Sequence, residues 1–215
     1  MMNTKSPFQW SSAGRSHVGM VRAINEDACV ALPELGLWAV ADGMGGHEAG
    51  DVASRMIVEV LQQTPSPTSW QALLDSVRER LCEVNRQLRE ESARRYQHRT
   101  IGSTVVVLVA YEDQCACLWV GDSRIYRLRD GGLQQLTRDH SHVQELVDQG
   151  LIAPEEAHRH PLSNVITRAV GSADELRIDE VDHPLRAGDM FLLCSDGLNK
   201  TVSDEEIARL LAHSD

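Results

Sequence analysis

Apolar positions along the chain change period several times, and each change marks an element. Ala49, Val52, Ala53, Met56, Ile57, Val60 and Leu61 form one stripe at helical spacing, which predicts an amphipathic helix. The prolines of QQTPSPTSW, residues 62–70, end that pattern. A second stripe runs through Trp70, Leu73, Leu74, Val77, Leu81, Val84 and Leu88, with Ser69 as its N-cap. This helix is expected to dissolve within the charged segment REESARRYQHR. Strands follow in close order. STVVVLVAY (103–111) is β-branched and reads as buried on both faces, and CACLWVG (115–121) comes after a short turn at Glu112–Gln114. RIYRLR, then Asp130-Gly131-Gly132, then LQQLT reads as a hairpin with a turn-forming centre. A polar segment from Asp139 to Ser163 carries one short helix, SHVQELVDQG, ended by Gly150. LRIDEVDHPL and DMFLLCSD supply two more strands around the Ala187-Gly188 turn, and SDEEIARLLAH is a capped helix. Hairpins mixed with long helices predict an α+β sandwich of antiparallel sheets covered by helices. A doubly wound parallel sheet does not fit that order.

Composition narrows the class. The 215 residues suffice for one sizeable core and are short for two domains, so a single domain is expected over 1–215. Aromatics are only 4%, which leaves the core to Val, Leu, Ile and Ala. The net charge of −11 argues against nucleic-acid binding, which needs a basic footprint. The N-terminal stretch has no signal-peptide h-region and no run approaches a membrane span, so the sequence reads as cytosolic with no membrane partner. Five cysteines show no disulfide spacing, and Cys115 and Cys117 read as small buried hydrophobes.

An acidic chain can gather carboxylates around cations, so the placement of the acids matters. Asn25-Glu26-Asp27 follows VRAI, Asp42 follows LWAVA, Asp122 follows CLWVG, and Asp196 follows MFLLCS. Each case alone reads as a turn, because Asp and Gly are the commonest turn formers. Repeated on separate strands, such ends can meet at one sheet edge, and clustered carboxylates repel unless a cation neutralises them. Oxygen ligands without His or Cys sets suit Mg²⁺ or Mn²⁺. The glycines of ADGMGGHEAGD match neither a Walker A loop nor a dinucleotide fingerprint, and no zinc-type His pair is present.

VRAINEDA, ADGMGG, GSTVVV, VGDSRIYRL, LTRDHS, NVITRAVG and LLCSDGLNKTVSDEEI occur in one order. From about Arg15 onward the chain thereby resembles the bacterial PPM-type metal-dependent Ser/Thr protein phosphatases, the type-2C-like group. The resemblance implies two packed antiparallel β-sheets flanked by helices, a four-layer α-β-β-α sandwich with a metal centre at one edge. It implies that Asp42 bridges two Mn²⁺ or Mg²⁺ ions, that the Gly43 carbonyl binds one of them, and that Asp196 is a ligand of the other. Asp122 with Asp196 would hold a third, weaker ion. Glu26 and Asp27 would hold metal-bound waters, and Arg22 would bind the substrate phosphate. For Arg22 the plain alternative is a surface ion pair, and for Asp122 it is a turn. Arg124 and Arg168 read as structural ion-pair partners. Residues 139–163 correspond to a flap beside the site, whose histidines read as solvated or capping groups.

The chemistry so implied is hydrolysis of phosphoserine and phosphothreonine, with a hydroxide bridging two cations attacking phosphorus in line. Phosphorylated proteins would be substrates, a Ser/Thr kinase the opposing partner, and the chain a monomer. No cysteine has an arginine six residues on, which excludes thiol-phosphatase chemistry. Two departures from the family stand out. Many eukaryotic relatives carry His where this chain has Met44, which cannot donate a proton; bacterial relatives often share the Met, so that metal-bound water would serve as the acid, with His47 as an alternative. The family also has further strands bearing an Asp-Asn pair, absent before Asp215, so the domain is expected to lack its last strands and to leave open sheet edges. That departure keeps a second reading, a phosphoprotein-binding regulatory module with impaired catalysis. A third is a hydrolase of small phosphate esters.

Overall fold

The computed structural model describes residues 8–20, 22–45, 49–95 and 100–213. Nine strands and six helices are assigned among them. The strands are β1 (Asp27–Leu32), β2 (Leu37–Met44), β3 (Gly102–Ser103), β4 (Val105–Tyr111), β5 (Gln114–Val120), β6 (Arg124–Arg129), β7 (Gly132–Gln135), β8 (Asp179–Pro184) and β9 (Met190–Cys194). The helices are α1 (Ala49–Gln62), α2 (Trp70–Arg95), α3 (His142–Asp148), α4 (Pro154–Ala157), α5 (Asp196–Asn199) and α6 (Asp204–Ala212). Every strand pairing is antiparallel. One sheet has the order β1-β2-β4-β5-β8 with β3 on β2, and the other has the order β7-β6-β9.

The consecutive valines of β4 explain the layering. Val105, Val107 and Val109 point to one face with Leu37, Ala39, Ala116 and Leu118, where α1 and α2 cover them. Val106, Leu108 and Ala110 point to the other with Trp38, Cys115, Cys117 and Trp119, against Ile125, Phe191 and Leu193 of the second sheet. A strand with period-2 side chains and a core on each face must be apolar throughout. Helix α6 covers the outer face of the second sheet, where the buried Tyr126 hydroxyl bonds Asp204. The layers are therefore helix, sheet, sheet and helix.

Helix α2 runs to Arg95, inside the charged segment where it is expected to end, and its charges pair along its length: Arg86 with Glu90 and Arg95 with Glu91. One expectation needs correcting. Asn25-Glu26-Asp27 does not follow a strand; it leads into β1, a strand that the apolar pattern does not separate. The strands flanking Ala187-Gly188 also part company, β8 joining the first sheet and β9 the second. The β6–β7 hairpin is as expected, with Asp130 and Gly131 both at positive φ (53° and 78°), as a tight turn of this hand requires. Among the described residues no helix is long and apolar enough to cross a membrane.

Candidate metal centre

Antiparallel pairing decides which chain ends meet. The start of β1 lies beside the end of β2, so Asp27 stands directly opposite Asp42 in the register. Strand β5 runs in the same direction as β2, with β4 antiparallel between them, so Asp122 just past β5 reaches the same edge. From the second sheet, β9 ends at Cys194 and delivers Ser195 and Asp196 at the start of α5.

Asp42 is fixed through its backbone. Its N–H donates to Thr104 Oγ1 (3.2 Å), and its carbonyl accepts from Ser103 Oγ (2.9 Å) and from the Thr104 N–H (2.9 Å). Thr104 Oγ1 lies 2.6 Å from Ser123 Oγ, which ties this strand end to the residue following Asp122. The Gly43 N–H donates to the Glu26 carbonyl at 3.0 Å. A Cβ on Gly43 would lie 1.9 Å from the Gly50 carbonyl oxygen, and one on Gly50 would lie 2.4 Å from Glu26 Oε1. Both glycines are thus needed for the first turn of α1 to close against β1 and β2, a packing reason that the sequence alone does not supply.

The electrostatics are those of crowded carboxylates. Burial, then the charges of Asp27, Asp196 and Asp122, push the Asp42 carboxyl up to about 8. Burial and Asp196 push Asp122 up to about 6, against the opposing pull of Lys200. Asp27 is raised by burial too, although Ser195 Oγ donates to its Oδ2 at 2.9 Å. Glu26 Oε1 is buried without a hydrogen-bond partner. An all-oxygen cluster that is costly when ionised, with an orphaned carboxylate oxygen beside it, fits a hard divalent cation. Asp42, Asp196 and the Gly43 carbonyl could hold it, with Glu26 and Asp27 beside them as acceptors for bound water. The described residues do not close around one point as a finished ligand set; the fit lies in the chemistry and convergence of the donors.

The remaining site expectations fare differently. Arg22 is exposed and lies 3.6 Å from Glu26 Oε2, the ion pair weighed as its plain alternative, at the rim of the acidic cluster. Arg124 forks onto Asp139, with contacts of 2.8 to 3.1 Å, and Arg168 bonds Asp179 at 2.7 Å, so both are structural partners. His140 is neither solvated nor a cap. It is buried, stacks on Trp119 at 6.0 Å, and its Nδ1 accepts from the Gly121 N–H at 3.1 Å, which orients the peptide leading to Asp122. His47 lies outside the described residues.

Sequence reasoning missed Lys200. It caps α5, and its Nζ donates to Asp196 Oδ2 and to Asn164 Oδ1 (2.8 Å) and lies 3.6 Å from Asp122 Oδ2. The signal available was its spacing, a lysine four residues after an acid at a helix start. A cleft of about 340 Å³ adjoins these groups, lined in part by Asp122, Arg138, Val143, His158 and Lys200.

Known proteins share this architecture. The family model for protein phosphatase 2C matches residues 13–214. The serine/threonine protein phosphatase PstP of Mycobacterium tuberculosis is 40% identical over 199 residues, 93% of this chain and 38% of PstP. The chain thus spans well under half the length of that curated relative. The Listeria welshimeri serine/threonine phosphatase stp is 39% identical over 178 residues, 80% of this chain and 70% of the relative. Among solved structures, PppA, described as a key regulatory component of T6SS in Pseudomonas aeruginosa, superposes with a TM-score of 0.85 at 49% identity, covering 94% of this chain and 83% of that one. The PstP catalytic domain in complex with 2 manganese ions gives a TM-score of 0.84 at 38% identity, covering 93% of this chain and 83% of that one. A family match across nearly the whole chain, on a sandwich whose acidic strand ends converge, places this chain in the protein phosphatase 2C family.

Proposed function

We propose that the chain is a single catalytic domain that hydrolyses phosphoserine and phosphothreonine in proteins, with two Mn²⁺ or Mg²⁺ ions. The observation that carries this reading is the meeting of Asp27, Asp42, Asp122 and Asp196, raised carboxyls among them, from strand ends of two different sheets. The PstP catalytic domain, a relative with the same architecture, forms a complex with 2 manganese ions. Asp42 would be shared between the ions, the Gly43 carbonyl would face one, and Asp196 would serve the other. Bound divalent ions bring a water's pKa toward neutrality and offset charge on phosphoryl oxygens.

The chain's own residues do the rest. Glu26, with one buried oxygen unpaired, can orient a water, and Asp27, held by Ser195, keeps a second acceptor opposite Asp42. Arg22, exposed and held to Glu26 by a 3.6 Å contact, can swing its guanidinium fork onto two phosphate oxygens. Burial pushes Cys115 and Cys194 up to about 12, which disfavours thiolate chemistry at either. The cleft beside Asp122 would receive residues flanking the phosphorylated side chain. The opposing partner would be a Ser/Thr kinase, and the domain would act as a cytosolic monomer.

Phosphate release from a phosphothreonine peptide tests this, measured with Mn²⁺, with chelator, and with Asp42→Asn. Release should require Mn²⁺ and fall by roughly a thousandfold or more in the variant. A folded protein that releases no phosphate would favour the binding-module reading, and turnover of small esters but not of phosphopeptides would favour the third.

A further inference from the structure

Lys200 is a cation that the chain itself brings to its acidic cluster. One turn of α5 separates it from Asp196, and its backbone N–H donates to the Asp196 carbonyl at 3.0 Å. The side chain folds back so that Nζ meets Asp196 Oδ2 and Asn164 Oδ1 and lies 3.6 Å from Asp122 Oδ2. An ammonium has three donors, and here it has three oxygens in or near reach, two of them on carboxylates. Asp122 is only 5% exposed, whereas Lys200 lies at the surface with its side chain 27% exposed. The ammonium sits at the solvent-facing side of the cluster, over the buried Asp122.

That position lies between the two carboxylates expected to hold a third ion. Asp122 and Asp196 are two protein ligands, a thin set for a small divalent cation, which keeps most of its waters in such a site and binds weakly. The ammonium, by contrast, is tethered four residues from Asp196. A group on so short a tether competes at an effective concentration on the order of millimolar or more. Its third oxygen, on Asn164, belongs to the chain just after the flap segment, where the Val165 N–H bonds the Leu162 carbonyl at 3.0 Å and the Val165 carbonyl accepts from the His142 N–H at 2.9 Å.

We propose that Lys200 is a built-in substitute for a third metal ion: it neutralises Asp122 and Asp196, limits the centre to two divalent ions, and fastens the flap to the centre through Asn164. This rests on the reading of Asp42 as the focus of a divalent-ion site. It makes the centre's third positive charge independent of metal supply, and it makes the flap's anchoring a property of the folded chain.

Equilibrium dialysis against millimolar free Mn²⁺, with elemental analysis of the protein, gives the decisive count. The wild type should hold two ions per chain. Lys200→Ala should gain one more, Lys200→Arg should not, and Lys200→Ala combined with Asp122→Ala should lose the gain. Lys200→Gln, which keeps the bulk, gives a second neutral variant should the alanine variant fold poorly, and it should also gain an ion. A wild type that holds a third ion, or neutral variants that gain none, would overturn the proposal alone. A wild type that binds no Mn²⁺ would overturn the reading of the Asp42 centre and the proposal with it.

Discussion

Asp42 is the residue on which structure and chemistry meet most directly. In the metal-free protein its carboxyl is pushed up to about 8, from an ordinary value of 3.8. A carboxyl that holds its proton more tightly folded than unfolded contributes stability at low pH, and that contribution is lost as pH rises between the two values, because the unfolded chain releases the proton first. In chelator the melting temperature should therefore fall as pH is raised from about 4 to about 8. The loss should be on the order of a few kcal/mol, with contributions from Asp27 and Asp122, which burial also raises. Asp42→Asn should flatten that fall. A wild-type melting curve in chelator that does not move over this window would show that the carboxylates do not strain one another. Asp42, Asp122 and Asp196 were legible in the sequence because each follows an apolar run that can only be a strand. Lys200 was not, since nothing in the order of residues says that the end of α5 folds back over a residue from the other sheet.

At the scale of elements, α2 shows how a helix is made to position a loop. Asn85 is buried in its middle, an unfavourable place for asparagine. Its Oδ1 accepts from the Gly171 N–H at 2.7 Å, and its Nδ2 donates to the Ala173 carbonyl at 3.0 Å. The loop so held also bridges to β3, because Val170 pairs with Ser103, whose hydroxyl supports Asp42. Asn85→Ala leaves the buried Gly171 N–H unsatisfied and removes the partner of the Ala173 carbonyl, and should cost about 2 kcal/mol, read from urea unfolding at constant m-value. A change within a few tenths of a kcal/mol would mean that the loop is held by packing alone. Most elements were legible from period and punctuation: the two long helices, the β4–β5 and β6–β7 hairpins, and the Ser203-capped α6. The end of α2 was legible as well, inside a charged tail whose ion pairs exist only once the helix forms. The separation of β8 from β9 was hidden, because which sheet a strand joins is a matter of long-range packing.

For the whole molecule, the central feature is that the candidate centre belongs to neither sheet. Asp27, Asp42 and Asp122 arrive on the first and Asp196 on the second, and the apolar layer between them, from Trp38 and Leu108 to Ile125 and Leu193, sets their separation. The pattern of turns and apolar runs announced two sheets and helices around them, but it could not announce that β1 begins where β2 ends. The most direct measurement is an anomalous difference map from crystals of the full chain soaked in Mn²⁺. The expected map has peaks in contact with the Asp42 carboxylate, one of them also approached by Asp196 from the other sheet. Peaks only at scattered surface acids, with none at Asp42, would contradict a metal centre built across the two sheets.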